Sequence, residues 1–395
     1  MYYKLNNMTI KILFVCLLIL LLLNAIYLLI FSIAGAVLPL KKKLVYRNIE
    51  GKKFLILIPG YKEDAVIINS VKSVMAQNYP RSLFHCAVIA DSFDNKTLEK
   101  IRTFGAEAFE LPPIENRSKA NAIQVYLSKV FVEYDACIIL DADNVVESDL
   151  LLRSEVYLQN GEKIIQAKRV AKNEVNSMSR LDALSEIINN HIFRKGQRAL
   201  GFSASLIGSG MIIDMVIFRE VMKDMHVFSG FDKEMEIRIL KKHHTIEYAE
   251  SIKIYDEKVA EQNVYVNQRR RWTYAQIFFL RKNFINAFVE LFRSGNADYF
   301  NKILQFALLP RIIGLGFSVI CLIISPMLGA TLFFLSLALL FSYILSFYLA
   351  IKDDIKLNEL LNLSLKLPRA FWGMAKAILT SNKASKVFIH TPHNN

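Results

Sequence analysis

An almost unbroken apolar run over residues 12–39 constrains this chain more than any other feature. About 20 such residues cross a bilayer as a helix. The run exceeds the roughly 7–15 apolar residues of a secretion signal, and no clear cleavage site follows. It is therefore expected to persist as an anchor. Lys41, Lys42, Lys43 and Arg47 follow at once, whereas only Lys4 and Lys11 precede it. Basic residues collect on the cytoplasmic side of a span, so the chain beyond is expected in the cytoplasm. A second apolar block, residues 312–351, is too long for one span, and Pro326 and Gly329 mark a reversal within it. It reads as a hairpin of two short spans, 312–328 and 330–351, with Arg311 and Lys352 at the cytoplasmic boundary. Three crossings then make a multi-pass integral membrane protein whose middle portion and tail are both cytoplasmic.

Two stretches beside the second block, residues 274–293 and 355–380, interleave aromatic and aliphatic residues with arginine and lysine. Such helices either lie on the lipid surface or pack against the soluble portion. Lysine and arginine exceed aspartate and glutamate by 49 − 36 = 13. A basic excess suits nucleic acid, an anionic membrane face or a phosphorylated substrate. The apolar blocks favour the last two, and no nucleic-acid-binding motif accompanies the charge, so no nucleic-acid partner is expected. Cys16, Cys86, Cys137 and Cys321 are scattered and imply neither a disulfide framework nor a metal site.

Between the blocks, short apolar runs alternate with helical patterns. Residues 54–58 form a buried-strand pattern ended by Pro59-Gly60, and the apolar spacing from Ile67 to Met75 predicts a helix. Residues 86–90 and 136–140 are two further strands, with a helix expected over 119–132 between them. Alternation of this kind predicts a largely parallel α/β sheet, whose ligands gather at the carboxyl ends of its strands. Glu63, Asp91, Asp141 and Asp143 all stand just after strand ends, which gathers them into one site. Asp141-Ala142-Asp143 is its chemical centre. Paired carboxylates suit a hard divalent cation, Mg²⁺ or Mn²⁺, that shares phosphate oxygens with the protein. Such an ion offsets charge on a departing diphosphate.

Downstream, Gln268-Arg269-Arg270-Arg271-Trp272 reads Gln-x-x-Arg-Trp and lies just before the second apolar block. In the order Asp-x-Asp, Gln-x-x-Arg-Trp, membrane spans, the chain resembles membrane-embedded family-2 glycosyltransferases such as cellulose, chitin and hyaluronan synthases. The likeness covers roughly residues 50–280. It implies a GT-A-like α/β domain that binds a nucleotide sugar. By resemblance, Pro59-Gly60-Tyr61-Lys62-Glu63 places Tyr61 and Glu63 on the nucleoside, and Asp91 stands where the family contacts the base. Lys119, in Ser118-Lys119-Ala120-Asn121, would face the diphosphate. Asp143 would ligate the metal while Asp141 contacts the nucleotide. Gly208-Ser209-Gly210 resembles an acceptor-side segment of the family. Gln268 and Arg271 would hold acceptor or diphosphate, with Trp272 stacked on an acceptor sugar. Arg269 and Arg270 are read as interfacial anchors. The family places its catalytic base at the head of a helix. Aligning the apolar face over residues 231–240 selects Glu234, with Asp232 as the alternative base or as the helix cap.

The resulting expectation is an inverting, metal-dependent transferase that moves a sugar from a nucleotide sugar, a UDP-sugar foremost, to a growing polysaccharide. A lipid-linked acceptor is the alternative in the same class, and an inactive nucleotide-binding scaffold the alternative outside it. Expected segments are an anchor over 1–45, a catalytic domain over 46–272, interfacial helices over 273–311, a membrane hairpin over 312–351 and a tail over 352–395. Three spans are few for a translocation channel, so a polymer would call for a homo-oligomer or export subunits. The compact architecture suits a bacterial inner membrane.

Overall fold

A computed structural model describes residues 2–40, 44–45, 50–114, 117–172, 176–227, 229–259, 261–355 and 357–381. The basic cluster Lys41–Lys43 and Arg47 lies outside the described residues. The first helix, α1 (Tyr2–Val37), delivers the chain to an α/β domain. There β1 (Phe54–Tyr61), α2 (Ile67–Met75), β2 (Phe84–Asp91), α3 (Asn95–Thr103), β3 (Glu107–Glu110), α4 (Lys119–Leu127) and β4 (Ala136–Ile139) alternate. Then come β5 (Val145–Val146), α5 (Leu150–Gln159), β6 (Ile164–Ala171), α6 (Ser177–Asn189), a π-helical stretch (Asn190–Gly196), α7 (Gln197–Ala199), β7 (Met211–Asp214) and α8 (Met215–Met222). The domain closes with α9 (Phe231–Lys241), β8 (Glu247–Asp256) and α10 (Gln262–Ser294). Beyond it lie α11 (Ala297–Ala307), α12 (Arg311–Ile324), α13 (Ala330–Ile351), α14 (Leu357–Ser364) and α15 (Leu367–Leu379).

The eight strands form one sheet in the order β3-β2-β1-β4-β7-β6-β8-β5. Strands β3, β2, β1 and β4 are parallel, as the apolar runs predict. Strands β6 and β8 also pair parallel, but elsewhere the expectation of a largely parallel sheet fails. The Met211–Asp214 strand inserts antiparallel between β4 and β6, and β5 pairs antiparallel with β8, so the sheet is mixed. Residues alternate faces along a strand, and both faces are covered. Leu55, Leu57, Ala87 and Ile89 pack towards α4, α8, α9, α10 and α11. Phe54, Ile56, Ile58 and Val88 pack towards α2, α3 and α5. Burial on both sides explains why these strands are continuous apolar runs.

The helices from the two apolar blocks pack together. Ser32 Oγ donates a 2.6 Å hydrogen bond to the Ser346 carbonyl, which joins α1 to α13. Asn24 Oδ1 accepts from Leu309 N at 2.8 Å, and Tyr27 Oη donates to Asn301 Oδ1 at 2.8 Å. Asn24, Tyr27 and Ser32 of α1 thus turn towards protein. Leu13, Leu23 and Ile30 of α1 and Phe334, Phe341 and Ile344 of α13 remain exposed. Two helices, Met8–Val37 and Ala330–Ile351, are long and apolar enough to cross a membrane. The expected third span is different. Helix α12 has only 14 residues, and Arg311–Met327 qualifies only together with Ala297–Ala307, to which it is bent by 59°. The reversal falls at Ser325–Met327, with Gly329 at φ +129°.

Residues 274–293 are no separate element. They continue α10, a single helix that starts at Gln262 and runs through the boundary expected at residue 272. One face, including Ala275, Phe279 and Ala287, is buried on the sheet side, while Phe284, Ile285 and Phe292 stay exposed. Helix α15 likewise buries Ala370, Met374 and Ala377 and exposes Trp372 and Leu379. Each of these two helices thus has a packed face and an open apolar face.

Candidate active site

The sheet register builds the first half of the site. Tyr61 and Asp91 are partners at the carboxyl ends of the adjacent strands β1 and β2. Just past those ends the chain takes left-handed conformations at Lys62 (φ +55°) and Ser92 (φ +61°), and Lys62 N bonds the Asp91 carbonyl at 3.0 Å. Strain in non-glycine residues clusters at ligand sites. Asp143 is 8% exposed, and its carboxylate accepts from Asn144 Nδ2 at 3.0 Å and from Glu257 N at 3.1 Å. Asp141 is more open and pairs with Lys119 Nζ at 2.6 Å. Ser118 caps α4 by accepting from Asn121 N, which fixes Lys119 at the helix start. Lys119 also donates to the Gly208 carbonyl at 2.7 Å.

Two cavities meet here. The first, about 640 Å³, is bordered by Tyr61, Glu63, Asp91, Asp141 and Asp143. The second, about 720 Å³, is bordered by Gly208, Asp232 and Trp272 at one part and by residues of α6, α12, α13 and α15 elsewhere. Lys119, Asp141, Arg169, Gln268 and Arg271 border both. Gln268 Oε1 is buried without a hydrogen-bond partner at this junction.

Electrostatics mark the first cavity as short of positive charge. Burial, then Asp143, Asp141 and Glu257, push Glu63 from 4.5 up to about 8. Deeper in, Arg169 pairs with Glu186 at 3.0 Å and with Asp256 at 3.3 Å, and Lys258 meets Asp256 at 2.7 Å. Burial opposes the charge on Glu186, but Arg169 and Arg194 outweigh it and hold the carboxyl well below its usual range. Asp256, more by burial than by its cations, moves up to about 6. Among the described residues no group of three His, Cys, Asp or Glu side chains is spaced to hold a metal ion. Magnesium-type ions need only one or two carboxylates when phosphates complete the shell. The carboxylate excess around Glu63, Asp141 and Asp143 fits such an ion.

The structure does not bring Glu234 to this site. Its carboxylate accepts from Arg238 Nε at 3.0 Å and pairs with Lys282 Nζ at 3.4 Å, and it borders neither cavity. Asp232, two residues earlier, borders the second cavity beside Gly208, where an added Cβ would sit 3.7 Å from the Asp232 Cβ. The choice of Glu234 over Asp232 therefore has no geometric support. Nor are the basic residues of the Gln-x-x-Arg-Trp stretch all surface anchors. The Arg269 guanidinium lies over Trp272 at 4.5 Å and over Tyr265 at 4.8 Å, and it pairs with Asp182. One face of Trp272 is thus already covered.

Sequence reasoning missed Arg117 and Arg169 and gave Glu257 and Lys258, in a stretch it placed near the site, no role; all four border the first cavity. Arg117 pairs with Asp91 at 3.3 Å and stands over Tyr61 at 5.9 Å. The strand-end rule that found Asp141 would have found Arg169 and Glu257, had β6 and β8 been recognised.

A carboxylate-rich cavity at the strand ends is thus joined through Lys119, Arg169 and Arg271 to a second cavity bordered by Asp232, which pairs with Lys233 at 3.6 Å. Residues 52–275 match the family model described as glycosyltransferase like family 2. The chain belongs to that family. The probable glycosyltransferase YdaM of Bacillus subtilis (strain 168) is 22% identical over 253 residues, 61% of this chain and 59% of that protein. The chain thus matches under two thirds of that relative's length. Among solved structures, the mannosyltransferase PcManGT from Pyrobaculum calidifontis, in complex with GDP-Man and Mn²⁺, superposes with a TM-score of 0.50 at 14% identity. The match covers 92% of this chain and 99% of that one, and establishes a shared GT-A-like fold with a mixed sheet. TarS of S. aureus, in complex with UDP-GlcNAc, also matches, at a TM-score of 0.41 and 14% identity over 85% of this chain and 90% of that one.

Proposed function

We propose that this chain is a membrane-embedded, inverting glycosyltransferase, and that it takes a nucleotide sugar in the smaller cavity and an acceptor hydroxyl in the larger. The observation that carries the reading is the junction where Lys119, Asp141, Arg169, Gln268 and Arg271 border both cavities. Tyr61, Glu63, Asp91 and Arg117 surround the nucleoside. Lys119, Arg169 and Arg271 face the diphosphate, where arginine gives a forked grip on phosphate. Asp143, with Asp141, would hold Mg²⁺ or Mn²⁺, which neutralises charge on the diphosphate. The Mn²⁺ and GDP-Man found with PcManGT support this part of the reading.

Asp232 is the catalytic base. It takes the proton of the acceptor hydroxyl as the oxygen bonds to the anomeric carbon. The bond from that carbon to the phosphate oxygen breaks on the opposite face, and the nucleoside diphosphate leaves with the electron pair. An α-linked donor gives a β-linked product. The family residues Gln268 and Trp272 position the acceptor from α10.

The catalytic domain spans residues 46–272 with its α10 extension, and α1, α12 and α13 carry it on the cytoplasmic face of a bilayer. Of the two acceptor classes, the apolar walls of the larger cavity support the lipid-linked one over a growing polysaccharide. The test is nucleotide release by the full chain in nanodiscs across a panel of nucleotide sugars, with Mn²⁺, Mg²⁺ or EDTA. Metal-dependent turnover of one donor, lost in Asp232→Asn, is expected. A folded protein that binds no nucleotide sugar would sink the proposal.

A further inference from the structure

The larger cavity carries more information than its apolar walls. Its lining includes Leu184 and Ile188 of α6, Leu315 of α12, Phe347 and Ile351 of α13 and Met374 of α15. Two of these elements belong to the exposed apolar bundle. Into this lining comes Arg311, the first residue of α12. Its Nη2 donates to Ser185 at 2.9 Å (Oγ) and 3.1 Å (carbonyl), and its guanidinium stands 5.8 Å from the Phe193 ring centre. Its Nη1 is buried with no hydrogen-bond partner.

Neighbouring arginines differ. Arg269 is paired with Asp182, and Arg194 with Glu186 at 2.8 Å. Among the described residues no carboxylate pairs with Arg311. A cation in apolar surroundings without a counter-charge is costly, and the missing partner must be an anion that tolerates apolar neighbours. Asp232 and Gly208 border the same cavity.

We propose that the acceptor is a membrane lipid whose head group carries a phosphate beside the hydroxyl that is glycosylated. Arg311 grips the phosphate through Nη1 and its neighbour, and the acyl chains lie along α12, α13 and α15. The hydroxyl reaches Asp232. A lipid monophosphate with no hydroxyl would leave Asp232 without a task, because its phosphate oxygen is already deprotonated. This rests on the transferase reading above and narrows its acceptor to one chemical class.

The test uses the full chain in neutral detergent and in phosphatidylcholine nanodiscs. Calorimetry would compare short-chain phosphatidylglycerol, phosphatidic acid, diacylglycerol and inorganic phosphate. The two phospholipids are expected to bind at least about tenfold tighter than diacylglycerol or inorganic phosphate. That preference should collapse in Arg311→Leu and partly return in Arg311→Lys. In nanodiscs, phosphatidylglycerol should be glycosylated, whereas phosphatidic acid competes without being consumed. Equal binding of diacylglycerol, equal binding of inorganic phosphate, or an undiminished preference in Arg311→Leu would each overturn the proposal. If Arg311→Leu does not fold, the wild-type lipid series still decides. Nucleotide-sugar binding measured in the same samples keeps the two readings apart: its loss strikes the transferase assignment, whereas its presence with no phospholipid preference strikes only the acceptor.

Discussion

Glu234 Oε1 accepts a 3.0 Å hydrogen bond from Arg238 Nε, one helical turn on, and this pairing keeps the carboxylate away from the cavity that Asp232 borders. Residues two apart on a helix point to nearly opposite sides, so Asp232 and Glu234 of α9 face different surroundings. Asp232→Asn should lower turnover by about 10²–10⁴-fold, the span of a lost general base, with donor affinity retained. Glu234→Gln should keep turnover within a few-fold. It should instead cost about 1–3 kcal/mol of stability, because a buried charged hydrogen bond is lost. Steady-state kinetics beside thermal unfolding would separate the two. The reverse pattern would return the base to Glu234.

Glu63 gives a pH signature. Its folded value of about 8 lies above the ordinary 4.5, by burial first and by Asp143 and Asp141 next. Between those values the folded protein binds the proton and the unfolded chain does not. This group therefore favours folding at low pH, and its contribution is lost as pH rises through about 8. In EDTA, the wild type should lose thermal stability relative to Glu63→Gln between about pH 5 and 8, since a glutamine does not titrate. Saturating Mn²⁺ should shrink the difference, because a cation beside the carboxylates favours their charged form. Parallel melting curves of wild type and variant would count against this.

Metal removal should reduce nucleotide release to background, and Mn²⁺ should restore it. In Asp143→Asn the Mn²⁺ concentration for half-maximal release should rise by at least about tenfold, the lower range seen when metal surroundings are altered. Full activity in EDTA would remove the ion from the mechanism.

Gly196 tests how α1 is held. A Cβ there would lie 2.0 Å from the Phe31 carbonyl oxygen, so backbone must move. Gly196→Ala should destabilise by about 1–3 kcal/mol, as overpacking does, and should increase protease cleavage between α1 and the domain. An unchanged midpoint would mean that this contact adjusts freely.

How far the sequence speaks depends on burial. Strands β1, β2 and β4 are covered on both faces, so Leu55, Ile56, Ile58 and their neighbours leave continuous apolar runs that can be read directly. Strand β6 carries Lys168 and Arg169 in its second half, and β8 mixes Glu247, Glu250 and Lys253 with apolar residues before Asp256. These interspersed charges hide the strands, and with them Arg169, which borders the cavity with Asp256 and Glu257. Helix α9 shows another limit. Glu234, Met235, Glu236, Ile237, Ile239 and Leu240 are all buried, so burial wraps the helix and its apolar face fixes no phase. That is why Glu234 and Asp232 could not be told apart. The length of the second apolar block was legible, but the 59° bend before α12 was not, because Leu308-Leu309-Pro310 are as apolar as the helices they join.

The larger cavity has walls from α12 and α13, whereas the smaller one is formed by the sheet and its loops. With the lipid acceptor proposed above, the two reactants would come from spaces of different dimension. A nucleotide sugar is counted in moles per litre of water; a lipid in the larger cavity would be counted per unit area of bilayer. Diluting that lipid with inert lipid would then slow the reaction even when nothing in the aqueous phase changes, and the make-up of the surrounding leaflet would become a rate-setting variable in its own right.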